Sequence, residues 1–370
     1  MINCIGTLTG SSGYASHFRG VVNELNKLED CKIVTNLPVG FEKEVNDNEL
    51  KMLKREQDFD INLIITHPLY WRSNLSAKRN FVYLVWEGDS VPAWMCKECY
   101  NNNIEKIIVP SKHTYNALKK GFEEYDPDGW LSVGDEAGKN KVVIIPHGYN
   151  PKDFYPKMEA IEIDENDKPV HPNPPFKFLA NKGFRNLEDR GGIQYLIKAY
   201  IEEFKPEENV ELVLKVNPAY GIPNLLELFP ELKGKIPKIT YIPENYTTKK
   251  LNELYNECDV FVSPTRAEAF NLPCLEAMAC GLPVITTNYG GQTDYVPEGG
   301  LIDYDLVEVK HEVEYEGIRW AIPKMADLKQ LMRKFFDKQD SIPDPNFYKS
   351  IAAEYTWENT AKLIFDNIYK

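Results

Sequence analysis

Short apolar runs alternate with segments of helical periodicity along nearly the whole chain, and this alternation constrains the fold more than any other feature. Such alternation is typical of α/β proteins with parallel sheets. The sequence predicts strands at 2–8, 31–35, 61–66, 81–86, 106–110 and 141–146. A second series is predicted at 176–180, 210–216, 239–242, 260–263 and 284–287, with helices at 191–204, 247–257, 273–280 and 357–369.

The two series are separated by a segment rich in charge and proline, which predicts an exposed linker at 156–175. A chain of 370 residues is long enough for two domains at ~150 residues each. We therefore predict an N-terminal domain at 1–155 and a C-terminal domain at 176–354, with a cleft between them. A weakly alternating stretch at 308–316 suggests an inserted hairpin.

Composition excludes several classes of function. The net charge of −13 argues against nucleic-acid binding, because phosphate backbones attract basic surfaces. No apolar run reaches the ~18–20 residues that span a bilayer, and the N-terminus does not resemble a signal peptide.

Most of the seven cysteines lie in apolar stretches, which predicts reduced thiols and a cytoplasmic protein. Cys96 and Cys99 lack the second pair that a structural zinc site needs, so we expect no metal there.

The most informative segment is 263–283, where a strand is followed by a loop with Glu268 and a helix that begins near Pro273. The free amides at 270–274 would point out of the helix start, which is a site suited to an anion. Glu268 and Glu276 beside such a site are better suited to hydroxyl groups. The pattern predicts a ligand with a central diphosphate and a hydroxyl-rich ring at each end.

Seven residues separate Glu268 from Glu276, and the run Ala277-Met278-Ala279-Cys280-Gly281-Leu282-Pro283-Val284 follows. In this signature the chain resembles the family 4 retaining glycosyltransferases, which belong to the glycosyl transferases group 1. The resemblance implies a GT-B fold, in which two Rossmann-like domains face each other across a cleft. It also implies that a C-terminal helix at 355–370 packs back on the first domain.

The resemblance implies that Glu276 binds the ribose of the donor and that Glu268 contacts the transferred sugar. A first-turn carboxylate that interacts only with the helix dipole is the alternative for Glu276. The family has Gly or Ser where this chain has Asn271. The other expected donor-binding residues are Phe270, Asn271, Leu272, Pro243 and Gly291.

Two cations follow the first strand of the second domain, Arg185 and Arg190. By resemblance they stabilise the leaving diphosphate, as its growing charge requires. Arg190 has an alternative, a surface ion pair with Glu188 or Asp189. In the first domain Glu87 is the acceptor-side candidate for catalysis, with a helix cap or salt bridge as the alternative.

A glycine turn with Gly10 and Gly13 is expected to face the acceptor and the donor phosphate. Its GxxG spacing is not the dinucleotide fingerprint, which disfavours an NAD-dependent dehydrogenase. His147 precedes the linker and is expected to be structural, as is His17. Contact of Lys112, Lys119 and Lys120 with an anionic lipid surface stays open, and a solvated helix face is favoured.

The expected function is therefore retaining transfer of a hexose from a UDP- or GDP-linked sugar to an acceptor hydroxyl of a glycan, a glycolipid or another molecule. The nucleotide sugar is a substrate, and no cofactor is expected. No Asp-x-Asp is evident in a suitable loop, so no metal is expected either. The alternatives are a sugar-nucleotide epimerase and a non-catalytic nucleotide-sugar binding protein.

Overall fold

Two six-stranded parallel sheets organise the chain. The computed structural model describes residues 1–10, 12–36, 44–57, 59–126, 128–129, 141–157, 174–184, 189–217, 224, 229, 235–310, 315–337 and 344–370. Every predicted strand overlaps an observed one, because the buried strands of parallel sheets are short, nearly continuous apolar runs. The predicted α/β fold class, with two Rossmann-like domains, is confirmed.

The first sheet has the strand order β2-β1-β3-β4-β5-β6. Its strands are β1 (Ile2–Gly6), β2 (Cys31–Val34), β3 (Ile61–Ile65), β4 (Arg79–Tyr83), β5 (Ile104–Val109) and β6 (Val142–Ile144). The helices described in this part are α1 (Gly13–Leu25), α2 (Asp47–Leu53), α3 (Ala93–Cys99) and α4 (Lys112–Tyr125).

The second sheet has the order β12-β11-β10-β7-β8-β9. Its strands are β7 (Phe176–Asn181), β8 (Val210–Lys215), β9 (Lys238–Ile242), β10 (Val260–Ser263), β11 (Val284–Thr287) and β12 (Leu301–Ile302). The helices described with it are α5 (Ile193–Glu203), α6 (Thr248–Asn256), α7 (Leu272–Ala279), α8 (Met325–Asp337) and α9 (Pro345–Ala352).

An antiparallel hairpin follows the second sheet, which confirms the predicted inserted hairpin, but its strands lie almost entirely outside the predicted bounds of 308–316. Its strands are β13 (Tyr304–Glu308) and β14 (Arg319–Pro323), which lie at either side of the predicted stretch. Tyr315 and Trp320 from this insertion pack in one apolar core with Trp86 and Val91 of the first domain. The hairpin belongs to the second domain by sequence and to the first by packing.

The final helix, α10 (Trp357–Tyr369), packs on the first domain. Ile364 and Ile368 share a core with Phe18 and Val21 of α1, and the Thr360 hydroxyl donates to the carbonyl of Pro146 at 2.8 Å. The predicted linker falls largely on 158–173, outside the described residues, so the domain boundaries stay a prediction. Within the described part of the chain, no helix is both long and apolar enough to cross a membrane.

Candidate active site

A cavity of about 600 Å³ lies between the two domains. The first domain lines it with the start of α1 and the loop after β4, including Gly13 and Glu87. The second domain contributes loops that follow β7, β8, β9 and β10. Open α/β sheets bind ligands at the carboxyl ends of their parallel strands, so the topology alone predicts a ligand-binding site at this edge.

Glu268 lies on the cavity wall in the loop after β10, and the ammonium of Lys182 donates to its Oε1 at 2.7 Å. Burial by itself would raise the pKa of Glu268, but the charges of Lys182 and Arg190 outweigh it and hold the pKa below its usual range. Glu268 is therefore ionised at neutral pH. A carboxylate in that state only accepts hydrogen bonds, as the hydroxyls of a sugar require.

Asn271 precedes α7 with φ 68° and ψ 63°, and it is the one non-glycine residue with positive φ in the described chain. Left-handed backbone favours glycine and is tolerated by Asn, which explains how Asn replaces the residues typical of the family. Its side chain adds contacts that glycine lacks. Its Oδ1 accepts from Lys182 at 2.8 Å, and its Nδ2 donates to the Ser263 hydroxyl at 3.2 Å.

Glu276 lies in α7 and lines the same cavity, where its Oε2 accepts a hydrogen bond from the Tyr255 hydroxyl at 3.0 Å. The amide of Asn181 donates to the same hydroxyl at 3.3 Å. Burial raises the pKa of Glu276 to about 7, against the smaller opposing effects of Tyr255 and Lys182. Glu276 thus differs from Glu268, because no cation forms an ion pair with it in the described structure.

Glu87 and Arg190 form an ion pair across the cleft. The Tyr315 hydroxyl, from the inserted hairpin, donates to Glu87 Oε1 at 2.9 Å. Glu188, one of the alternative partners considered for Arg190, lies outside the described residues. Glu87 is 9% exposed and the Arg190 side chain 46%, so the guanidinium remains accessible from the cavity.

The remaining predicted residues divide into two groups. Gly13, Phe270 and Leu272 line the cavity. Gly10, Pro243 and Gly291 do not line the cavity. Gly10 donates its N–H to Glu44, and Pro243 is exposed. Gly291 packs behind the loop that carries Glu268. A Cβ on Gly291 would lie 1.9 Å from the carbonyl oxygen of Ala269, so this glycine permits close packing. Arg185 lies outside the described residues.

Several residues of the site were not predicted: Tyr315 and Lys215, which line the cavity, and Tyr255, which donates a hydrogen bond to Glu276. His17 and His147 line the cavity with their ring centroids 4.0 Å apart, and their structural role stays a prediction. Burial lowers the pKa of His147 to about 3, so its ring is neutral at physiological pH. The available signal for Lys215 is its position at the end of strand β8, directly after three apolar residues.

Comparison with known proteins identifies the second domain. Residues 184–329 match the family model described as glycosyl transferases group 1. Over these residues the chain is similar to the group 1 glycosyltransferases. The match contains Glu268, Glu276 and Arg190, which are the residues that the structure brings to the cavity.

Relatives and solved structures extend the comparison beyond residues 184–329. A probable sucrose-phosphate synthase of Thermosipho melanesiensis is 27% identical over 257 residues, which cover 67% of this chain and 52% of the relative. The chain thus spans about half the length of that relative.

A glycosyltransferase structure from Rickettsia africae matches with a TM-score of 0.67 at 15% identity, and the match covers 100% of this chain and 97% of that structure. Anabaena HepE, crystallised with UDP and glucose, matches with a TM-score of 0.62 at 13% identity and coverages of 99% and 98%. These structural neighbours share the GT-B fold.

Proposed function

We propose that this protein is a retaining glycosyltransferase that moves a hexose from a nucleoside diphosphate sugar to an acceptor hydroxyl without a metal ion. The observation that carries the proposal is the cavity wall in which Glu268, Glu276, Lys182 and Arg190 converge beside the start of α7. A glycan or a glycolipid is the acceptor class. The seven free, buried cysteines support a reducing, cytoplasmic location.

Each part of a nucleotide sugar has a complementary group on this wall. The diphosphate lies at Arg190 and the free amides that begin α7, and Arg185, which is outside the described residues, is expected to join them by resemblance. Glu276 accepts from the ribose hydroxyls, and the ionised Glu268 accepts from the hydroxyls of the sugar. The similarity of residues 184–329 to the group 1 glycosyltransferases and a structural neighbour crystallised with UDP and glucose support a donor of this class.

The reaction proposed is a displacement on one face of the sugar. The bond between the anomeric carbon and the diphosphate oxygen breaks, and its electron pair stays with the diphosphate. The acceptor oxygen bonds to the anomeric carbon on that same face, and its proton passes to the leaving phosphate. Arg185 and Arg190 stabilise the charge that develops on the diphosphate. Glu87 positions the acceptor hydroxyl after it exchanges its contact with Arg190.

The test is transfer itself. The protein is incubated with UDP- and GDP-hexoses and a panel of sugar and glycolipid acceptors, with and without EDTA, and the products are analysed by NMR. We expect a product that keeps the anomeric configuration of the donor and a rate that EDTA leaves unchanged. Glu268→Gln should lower kcat at least about tenfold, since it removes a charge-assisted hydrogen bond to the sugar.

Three outcomes would contradict the proposal in different parts. An epimerised nucleotide sugar without transfer would indicate the epimerase alternative. Tight nucleotide-sugar binding with no turnover for any acceptor would favour the non-catalytic alternative. Activity that EDTA abolishes and magnesium restores would refute metal independence.

A further inference from the structure

The cavity continues beyond Glu276 over the ends of β8 and β9. Lys215, Asn245 and Tyr246 form this outer wall. The strand order β10-β7-β8-β9 places it on the side of β7 opposite to Glu268. Asn181 and Lys215 are register partners in β7 and β8, and Asn181 reaches Glu276 through the Tyr255 hydroxyl. A nucleotide with its ribose at Glu276 and its diphosphate at Arg190 therefore extends its base towards Lys215.

Lys215 is a buried cation with unused hydrogen-bonding capacity. It is 7% exposed, and the one hydrogen bond of its ammonium within the described part of the chain runs from Nζ to the carbonyl of Val216 at 3.4 Å. The ring of Tyr246 lies 5.8 Å from Nζ. An ammonium has three N–H donors, and a buried charge is costly unless it is paired. Burial also lowers the pKa of Lys215, in keeping with this unfavourable environment.

The chemistry of Lys215 discriminates between nucleobases. An ammonium only donates hydrogen bonds, so it matches a carbonyl oxygen and mismatches an amino group. Uracil and guanine each present a carbonyl oxygen beside a ring N–H. Cytosine and adenine present an amino group beside an unprotonated ring nitrogen at the corresponding edge. The Asn245 carboxamide has an acceptor for the ring N–H, and Tyr246 offers an aromatic face for stacking.

We propose that Lys215 makes this protein selective for nucleotides whose base carries a carbonyl oxygen beside a ring N–H, uracil or guanine, over cytosine and adenine. The inference rests on the proposed function, which supplies a nucleoside diphosphate as the ligand. It adds a specificity-determining residue outside the glutamate signature.

The test is calorimetric titration of the full chain with UDP, GDP, CDP and ADP. We expect UDP or GDP to bind at least about tenfold more tightly than CDP and ADP. The separate UDP and GDP titrations distinguish the two favoured bases. Lys215→Met should weaken binding of the favoured nucleotide about ten- to hundredfold and leave the Kd values of CDP and ADP unchanged, because one hydrogen bond to a charged group is lost.

Lys250→Met is the matched control. Lys250 lies over the same Tyr246 ring at 5.4 Å, but it is exposed and outside the cavity lining. This variant should bind all four nucleotides as the unaltered protein does. Thermal unfolding without ligand should show that Lys215→Met is folded, since the change removes a buried charge and keeps an unbranched side chain of similar length.

Equal weakening of all four nucleotides by Lys215→Met would place the ammonium on the diphosphate or ribose and overturn the inference. A preference of the unaltered protein for CDP or ADP would overturn it as well. If nucleoside diphosphates bind without any preference, this inference fails and the proposed function stands. If none binds, both fail.

Discussion

At the scale of single residues, the site depends on side chains that do two things at once. Asn271 adopts a left-handed backbone at the start of α7 and also holds the Lys182 ammonium with its Oδ1. The backbone requirement explains why glycine suits this position, and the Lys182 contact is what asparagine adds. Substitution by glycine and by alanine can therefore separate the contribution of the backbone conformation from that of the side-chain contacts.

We expect Asn271→Ala to lower the free energy of unfolding by about 1–2 kcal/mol more than Asn271→Gly does. Both variants lose the contacts with Lys182 and Ser263, but only alanine is strained in the left-handed region. Urea unfolding of the two variants measures the difference. Equal midpoints with equal slopes would show that the left-handed backbone carries no such cost here.

The raised pKa of Glu276 makes it a pH-sensitive group. Its pKa of about 7 in the folded protein lies above the ordinary 4.5, so the unfolded chain loses this proton at lower pH than the folded one. Between these values the free energy of unfolding should fall as pH rises, by up to about 1.4 kcal/mol per pH unit. Glu276→Gln should remove this dependence, which urea unfolding from pH 4.5 to 8 measures.

The same residue connects pH to ligand binding. An ionised Glu276 accepts from both ribose hydroxyls, whereas the protonated form has less acceptor capacity. We expect the affinity for the preferred nucleoside diphosphate to rise as pH increases towards 7, and the affinity of Glu276→Gln to change less. Titration calorimetry at several pH values checks this. A dependence that persists unchanged in the variant would assign it to another group.

Sequence analysis found Glu268 and Glu276 because both lie in one short signature. It missed Tyr255, which precedes Glu276 by 21 positions on another helix and meets it only through folding. Tyr315 was missed for the same reason, since its contact with Glu87 joins residues 228 positions apart. Local patterns report local geometry, and the tyrosines that contact Glu276 and Glu87 are distant from them in sequence.

At the scale of elements, the strands and helices with long apolar patterns were predicted well, whereas short or half-buried elements were not. α2 and α3 have seven residues each, which is too few to show a helical period clearly. The hairpin strands alternate weakly because β13 has no buried residue. Its placement depends on packing against the first domain, which periodicity does not encode.

Asp89 anchors the hairpin to the first domain. Its Oδ2 accepts from Lys120 at 2.6 Å and from Arg319 Nε at 2.9 Å, and its Oδ1 accepts from the Arg319 amide at 2.7 Å. Burial opposes ionisation, but these contacts outweigh it and lower the pKa of Asp89. Lys120, considered above for lipid contact, is engaged in this tether instead of facing an open surface.

We expect Asp89→Asn to destabilise the protein by about 1–3 kcal/mol at neutral pH, since charged hydrogen bonds are lost. The contribution of Asp89 is complete above its ordinary pKa of 3.8 and is lost as pH falls through the lowered value. The gap between the two proteins in urea unfolding should therefore narrow below about pH 4. A gap that is independent of pH would assign the effect to packing.

At the scale of the whole molecule, the Glu87–Arg190 ion pair spans the cleft that a donor must enter. The guanidinium that we assign to the diphosphate is engaged by a carboxylate of the other domain. A donor must therefore compete with Glu87 for Arg190. Binding is then accompanied by a rearrangement between the two domains.

Glu87→Gln should strengthen binding of the preferred nucleoside diphosphate about two- to fivefold, because it weakens the competing ion pair. It should also lower the rate of transfer, if Glu87 positions the acceptor. Calorimetry and a transfer assay measure the two effects. Glu105→Gln, which breaks the Arg79–Glu105 pair outside the cavity lining, is the control. Weaker binding by Glu87→Gln would mean that Glu87 supports the donor site instead of competing with it.

The inserted hairpin also determines which residues must be transferred together when parts of two related proteins are joined. A chimaera of two glycosyltransferases of this fold joins the acceptor half of one protein to the donor half of another. In this chain such a cut in the linker would separate Trp86 and Val91 from Tyr315 and Trp320, with which they form one core. A workable graft must carry residues 304–323 along with the first domain, although they follow the signature helix in sequence. The boundary between the two domains is therefore discontinuous in sequence, and the core of the first domain is encoded by two separate stretches of the gene.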